Sequence, residues 1–477
     1  MEEIHRVCKN DAEIFIGVPH EKSKWAWGDP THCFSRDTEI LTENGWFRFD
    51  QLPKKLKVAT INTNTFELEY QNPSRYIKKR VENLYHIKND RYVDLLVTDK
   101  HRILRRINSD YKRKRIKIKN RRINLGIIEK LTFTDVDKLS ELKRIYVPLT
   151  CVWNGKDIKK IVLPKIKFNT SAKKIPPINM DLWLAFFGIW LAEGSVYGSK
   201  GAKVGTRYSI TISQSEKNEK KKDKIEKLLK KIPFKFSRSI NKFDITNKQL
   251  WSYLSQFGNS KTKFIPKEIK NLPPERLKIL LDWMVMGDGH ISERIHKFDG
   301  LNRISRGVSY STSSKKLADD VTEILLKIGK ISRITFEKGK EKVICGRKTK
   351  SKGIYVINIK SGNSKPKSYR KLKYSYVYPE EIKKVSYNDD SFCVSVPNET
   401  LYVRRNGLPC WSGNCKCFNE LSFLFFCKGK LVNGSNYGIK TDFDIENITM
   451  SSELLMFVKL KVIKPIRWEK EKSMTNF

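Results

Sequence analysis

The chain has 477 residues, room for two to four domains, and 39% of them are apolar, which excludes wholesale disorder. Lys and Arg total 95 against 52 Asp and Glu, a formal net charge of +43. A field of that sign attracts polyanions, nucleic acid first, unless Lys is simply the solvated residue of default. No apolar run approaches the roughly 18–20 residues that span a bilayer.

Residues 1–32, "MEEIHRVCKND" onward, lack the basic and apolar regions of a signal peptide. The nine Cys are scattered without a paired framework. Both features lead us to expect a cytoplasmic protein with reduced thiols. From Cys33 to about residue 156, apolar and polar residues alternate between turn signals, as in "TEILTENGWFRFDQL" and "NLYHIKNDRYVDLLVT", which predicts an all-β region. Residues 157–352 carry helical patterns. Residues 353–414 return to β character in "IYVINI", "SFCVSV" and "TLYVRR", and 415–477 have a weak mixed signal. The β-rich flanks therefore bracket an α/β insert.

The insert repeats itself. "LAFFGIWLAEGSVYG" begins at Leu184 and "LLDWMVMGDGHIS" at Leu280. Each reads as an apolar helix ending in acid–Gly. A polar strand, a Ser-containing turn and an amphipathic helix follow each, at "YSITISQSEKNEKKKDKIEKLLKKI" and "VSYSTSSKKLADDVTEILLKIG". A period near 100 residues is too long for a solenoid and predicts two pseudo-symmetric halves. Ala192 and Gly287 allow the two helices to pack closely. Glu193 and Asp288 would then meet at one end, where two carboxylates repel unless a cation lies between them. A hard divalent ion such as Mg²⁺ suits oxygen ligands, and metal-held water is what phosphodiester cleavage needs. Taken singly, each acid would read as a solvated helix end; the repetition favours a metal pair.

The two stretches resemble the paired LAGLIDADG motifs of homing endonucleases, with Phe186–Gly194 and Leu281–Gly289 in the nine motif positions. "KFIP" at Lys263–Pro266 resembles the segment that precedes the second motif in intein-borne members. The resemblance implies two αββαββα halves that grip double-stranded DNA as a monomer. It implies Glu193 and Asp288 as Mg²⁺ ligands and Lys263 as a basic residue near the scissile phosphates. Glu193 stands where Asp is usual, a tolerated variant.

The flanks resemble inteins, and imply a horseshoe-like all-β Hint splicing domain built from residues 33–156 and 353–414. "CFSRDTEILTENGW" from Cys33 is similar to the first intein block. Thr98 and His101 match the second, and "SFCVSVPNETLYVRRNGLPCWSGNC" the last two. Residues 1–32 and 415–477 would be the N- and C-exteins of a host protein. The Cys33 thiol would convert the 32–33 amide to a thioester, Thr98 and His101 assisting loss of the amide nitrogen. Cys415 would take the acyl group, and Asn414 would cyclise and cut the 414–415 bond, without a cofactor. Three positions depart from the pattern. Gly413 replaces the usual His before the terminal Asn, Thr400 stands at another usual His, and Cys393 sits where many members carry Asp. A His introduced at 413 is expected to leave cyclisation unchanged or speed it.

No Gly-x-x-x-x-Gly-Lys-Ser/Thr loop occurs, so a P-loop NTPase is unsupported. The basic run from Arg105 is either a DNA-contacting arm or a solvated loop. The alternative to an active splicing element and endonuclease is a splicing- or nuclease-defective basic DNA-binding remnant.

Overall fold

The computed structural model describes residues 13–19, 33–89, 91–107, 115–118, 121–124, 130–166, 175–198, 208–215, 218–298, 301–339, 341–344, 347–350, 353–360, 372–414, 443–450 and 455–462. The chain divides into two compact bodies. One comprises Met1–His32 together with Cys415–Phe477; the other is Cys33–Asn414. In the first body Glu13–Pro19 pairs antiparallel with Leu455–Val462, which also pairs with Phe443–Met450. Strands from both ends of the sequence thus share one sheet, which the sequence pattern does not reveal.

In the second body the β-rich flanks interleave. Phe34–Ser35 pairs with Ile382–Ser395, which pairs with Arg75–Lys88, which pairs with Asp94–Val97; Phe34 also faces Val97, closing a barrel. A second sheet runs in the order Leu408–Gly413, Thr400–Arg405, Glu39–Thr42, Val58–Ile61 and Leu68–Gln71, with Gly45–Arg48 added on Glu39–Thr42. The hairpin joining Thr400–Arg405 to Leu408–Gly413 turns at Asn406 (φ 48°) and Gly407 (φ 74°), the Asn-Gly pair that a two-residue turn with positive φ prefers. Gly407 is required for a second reason: a Cβ there would lie 1.9 Å from the Ile334 carbonyl oxygen. Among the described residues of these flanks the only helices are short 3₁₀ turns.

The insert has the predicted internal repeat. The first half runs α1 (Met180–Glu193), two strands, α2 (Glu219–Leu229), two strands and α3 (Lys248–Ser255). Asn179 caps α1 by accepting from the Asp181 amide at 2.9 Å. A short α4 (Lys267–Lys270) leads to α5 (Pro274–Asp288), whose first residue is Pro, where no amide is needed. Two strands, α6 (Lys315–Lys327) and further strands follow. The two four-stranded sheets have the same order. The first is Gly194–Tyr197, Ser209–Ser213, Lys242–Thr246, Phe236–Ser239, and the second is Gly289–Phe298, Leu301–Thr312, Ile354–Lys360, Ser332–Glu337. This order corrects one boundary. Ile354–Lys360 belongs to the second insert sheet, not to the β-rich flank, because alternation marks a strand but not the sheet it joins. No helix among the described residues is long and apolar enough to cross a membrane.

Helix α6 ties the insert to the flank. Glu323 accepts from Lys270 and Lys327 at 2.8 and 2.7 Å and from the Tyr70 hydroxyl at 3.2 Å. Asp320 takes a second bond from Lys270, and Arg404, buried over Trp46, pairs with Glu39 and Asp319. Burial pushes the Glu323 carboxyl up, but Lys327 and Lys270 outweigh it and hold it below the usual range. Glu323→Leu removes one partner of buried charges, and its unfolding free energy in chemical denaturation should fall by about 3–5 kcal/mol.

Candidate active sites

The first site lies where α1 and α5 end. Their contact depends on small residues. A Cβ on Gly188 would lie 2.7 Å from the Leu280 carbonyl oxygen, and one on Gly287 would lie 2.2 Å from the Ala192 Cβ. Both helices then stop at acid–Gly, so Glu193 and Asp288 arrive at the same end. Desolvation at the packed helix ends, and then repulsion from Glu193, push the Asp288 carboxyl up to about 6. Lys263 and Lys221 oppose that shift. Beneath them the buried Tyr310 hydroxyl has no partner among the described residues. Burial first, then the charges of Asp288 and Glu193, hold its pKa well above normal.

Lys263 differs from expectation. It is 4% exposed, and its ammonium donates to the carbonyls of Trp190, Leu191 and Gly194 at 2.8, 2.9 and 2.7 Å. All three of its protons are thereby committed to the last turn of α1 and the Gly194 that follows it, where the Trp190 carbonyl also accepts the Gly194 amide, so it does not reach out to a phosphate. Burial, against the attraction of Asp288 and Glu193, lowers its pKa to about 8. Lys221, which sequence reasoning missed, is the cation in direct contact with Glu193. Its ammonium lies 3.2 Å from Glu193 Oε1 and donates to the Gly287 carbonyl at 2.9 Å. Nothing in the Lys-rich run of α2 distinguishes it beforehand.

Among the described residues no group of three or more His, Cys, Asp or Glu could hold a metal. The two acids alone fit a hard cation that keeps several waters and takes its other oxygens from a phosphate, as Mg²⁺ does.

The second site forms at the edges of the Cys33–Asn414 body. The Cys33 amide donates to Thr98 Oγ1 at 2.9 Å, and the Cys33 carbonyl accepts from the Thr98 amide at 3.1 Å. The His101 amide donates to the Thr98 carbonyl, and its ring meets Phe34 edge-on at 4.4 Å. On its other side His101 Nε2 lies 2.9 Å from Ser412 Oγ. Cys33, His101, Ser412 and Asn414 are each 0% exposed. The Asn414 amide donates to the Glu399 carbonyl, while its side-chain Oδ1 and Nδ2 have no hydrogen-bond partner among the described residues. A buried carboxamide left this way costs about 1–3 kcal/mol.

The hairpin carrying Ser412 is fixed to the strand leading to Thr98. Asp94 accepts from Arg405 at 2.6 Å and Asn406 at 3.0 Å. Burial pushes the Asp94 carboxyl up, but Asn406 and Arg405 hold it below its usual range.

The departures from the intein pattern have structural causes. Thr400 Oγ1 both accepts from and donates to the Ile61 backbone, at 2.9 and 3.0 Å, which leaves it no part in proton transfer. A Cβ on Gly413 would lie 2.3 Å from the Arg102 carbonyl oxygen, so a His at 413 must displace that backbone. This revises the expectation of simple tolerance there. Cys393 is buried and its thiol points to the Val394 carbonyl at 3.5 Å. Cys415 and about half of the basic run from Arg105 lie outside the described residues.

Residues 280–371 match the family model described as a LAGLIDADG-like domain. The chain is 29% identical over 438 residues to the DNA-directed RNA polymerase subunit beta C-terminal section of Stigeoclonium helveticum, covering 82% of this chain and 37% of that protein. It is 30% identical over 317 residues to an ATP-dependent Clp protease proteolytic subunit of Chlamydomonas moewusii, covering 64% and 28%. It is 20% identical over 399 residues to a ribonucleoside-diphosphate reductase subunit beta of Aquifex aeolicus, covering 80% and 50%. The chain thus spans half or less of each of these relatives. Among solved structures it is similar to variants of the homing endonuclease I-DmoI, with 16% identity, 38% and 89% coverage and a TM-score of 0.23. It is also similar to the AceL NrdHF class 3 split intein, with 17% identity, 22% and 79% coverage and a TM-score of 0.15.

The committed hydrogen bonds of Lys263 make it a structural group first. Lys263→Met should lower unfolding free energy by about 1–3 kcal/mol, because carbonyls at the end of α1 lose their donor. Thermal and denaturant melts would read that loss without reference to any activity.

Proposed function

We propose that residues 33–414 are a self-splicing element that excises itself and joins the segments on either side, and that its LAGLIDADG-like insert is a site-specific DNA endonuclease. The observation that carries the reading is the closure at His101. One imidazole touches Phe34, next to the first residue of the body, and Ser412, two residues before its last. A second observation supports it. Three enzymes with unrelated names each resemble 64–82% of this chain, and a mobile insert is a feature that such unlike hosts can share.

In the first step the Cys33 thiol, as thiolate, attacks the carbonyl carbon of residue 32; the C–S bond forms and the 32–33 C–N bond breaks. Thr98 already holds the departing amide nitrogen, and His101 is the nearby group able to deliver the proton that makes it an amine. Cys415 then accepts the acyl group by thioester exchange. Asn414 Nδ2 attacks its own carbonyl carbon, a succinimide closes and the 414–415 bond breaks. The amine freed on Cys415 then displaces its own thioester, leaving an amide between 32 and 415. Burial of Asn414 without side-chain hydrogen-bond partners among the described residues leaves its amide nitrogen available for that attack.

At the insert, Glu193 and Asp288 would hold a divalent ion. Bound there, it would supply Lewis-acid stabilisation of a phosphodiester's developing charge. The two similar but non-identical sheets would read two different half-sites of double-stranded DNA. The target is then long and asymmetric, and lies in a host gene lacking the insert. Ser209–Ser213, and Ser309–Thr312 at the end of Leu301–Thr312, alternate buried residues, such as Ile210, Ile212 and Tyr310, with less buried ones available to face a groove.

Cys33→Ala should abolish thiol-induced cleavage at 32–33, and Asn414→Ala should abolish cleavage at 414–415 while leaving the thiol-induced step. Normal splicing by Cys33→Ala would remove Cys33 as first nucleophile. Glu193→Gln or Asp288→Asn should abolish DNA cutting and retain DNA binding. For Asp288, the folded pKa of about 6 lies above the ordinary 3.8. In metal-free protein its contribution to stability is therefore present at low pH and is lost between about pH 4 and pH 6. A divalent ion needs the carboxylate, so the rise in melting temperature on adding Mg²⁺ should grow between about pH 5 and pH 7. Asp288→Asn should flatten that rise.

A further inference from the structure

We propose that Ser412 is a positioning residue for His101, and that it makes the first cleavage at 32–33 depend on a seated C-terminal strand. The inference rests on the self-splicing reading above. His101 follows directly from the Thr98 turn that grips Cys33 on both its amide and its carbonyl. The imidazole is clamped between two side chains from opposite ends of the body. Phe34 packs against the ring in a T-shaped contact, centroids 4.4 Å apart, and the Ser412 hydroxyl lies 2.9 Å from Nε2.

Ser412 belongs to the strand Leu408–Gly413, whose other features also hold it against His101 and its neighbour. It pairs with Leu401 across the hairpin, and the next residue, Gly413, lies so close to the Arg102 carbonyl that no side chain fits between them. The hairpin turn is bound to Asp94 through Asn406 and Arg405. Ser412 and His101 are both wholly buried, so bulk water does not replace either partner.

Because the Ser412 hydroxyl can donate to or accept from Nε2, its bond holds the ring in one orientation whichever nitrogen carries the proton. The Ser412 bond therefore sets the ring plane of the group that serves the 32–33 bond. It does so from two residues before the second cleavage site. When the Leu408–Gly413 strand is out of place, His101 loses its orientation and the first thioester does not form. The usual imidazoles beside the terminal Asn are here Gly413 and Thr400, which lack a base. His101 is the histidine that both ends of the body share.

The test uses the full chain carrying Asn414→Ala, which isolates the first step. In that parent, dithiothreitol should cleave at 32–33; a parent that does not cleave removes the splicing reading itself. Adding Ser412→Ala should slow that cleavage by at least about tenfold, the lower end of what a misoriented proton-transfer group costs. Ser412→Thr, which keeps a hydroxyl, should restore it to within about threefold. In ¹⁵N-histidine spectra the His101 ring-nitrogen signals, identified by their loss in His101→Gln, should coincide in the parent and in Ser412→Thr. Ser412→Ala should shift them, because Nε2 loses its hydroxyl partner. The inference is overturned if Ser412→Ala cleaves within about threefold of the parent, if Ser412→Thr fails to rescue, or if the His101 ring-nitrogen signals are the same with and without the hydroxyl.

Discussion

The constraint on which the Cys33–Asn414 body depends is that its first strands pair with its last. Phe34 lies opposite Phe392, and Glu39 and Ile40 lie opposite Arg404 and Val403. Each pair bridges more than 350 positions of sequence. Closing so long a loop is entropically expensive, but the cost rises only slowly with length, so an insert of any size can sit between the paired ends. Once those strands are paired, Cys33 is held by Thr98, and the hairpin after Val403 lays Ser412 against His101. The chemistry proposed for the ends follows from this closure and not from any ligand.

The insert obeys a parallel constraint at smaller scale. Two apolar helices can end side by side only if nothing larger than a methyl separates them, and Gly188, Ala192 and Gly287 meet that condition. The reward is two carboxylates at one place, and the cost is their mutual repulsion, seen in the raised Asp288. Lys221 and the buried Lys263 partly neutralise it. The insert is also not a loose passenger. Helix α6 supplies Asp319 to Arg404 and Glu323 to the Tyr70 hydroxyl, so residues of the flank rely on it to satisfy buried polar atoms. Removing the insert would leave Arg404 with Glu39 alone, a buried cation with half its partners.

Much of this was legible in the sequence because it is local or repeated. The acid–Gly helix ends and the strand–turn–helix that follows each are short-range patterns, and each appears where the pattern put it. Cys33, Thr98 and His101 were singled out, and they are neighbours in space. What was not legible is long-range. Ile354–Lys360 alternates like a flank strand yet joins the insert, because register with Leu301–Thr312 decides its sheet. The pairing of Glu13–Pro19 with Leu455–Val462 spans most of the chain and leaves no local mark. Ser412 and Lys221 carry no signal of their own, since a Ser before Gly and a Lys among lysines are both commonplace. Lys263 was found as a residue but not in its role, because its direction depends on α1 carbonyls far away in sequence.

As proposed, the Cys33–Asn414 body severs both of its own boundaries and joins what lies outside. Intact mass spectrometry of the 55.8 kDa chain, expressed whole and held in reducing buffer near neutral pH, tests this most directly. Two products are expected. One has the mass of residues 33–414 ending in Asn or succinimide, and the other that of residues 1–32 joined to 415–477. A chain that stays at 55.8 kDa through prolonged incubation would contradict it.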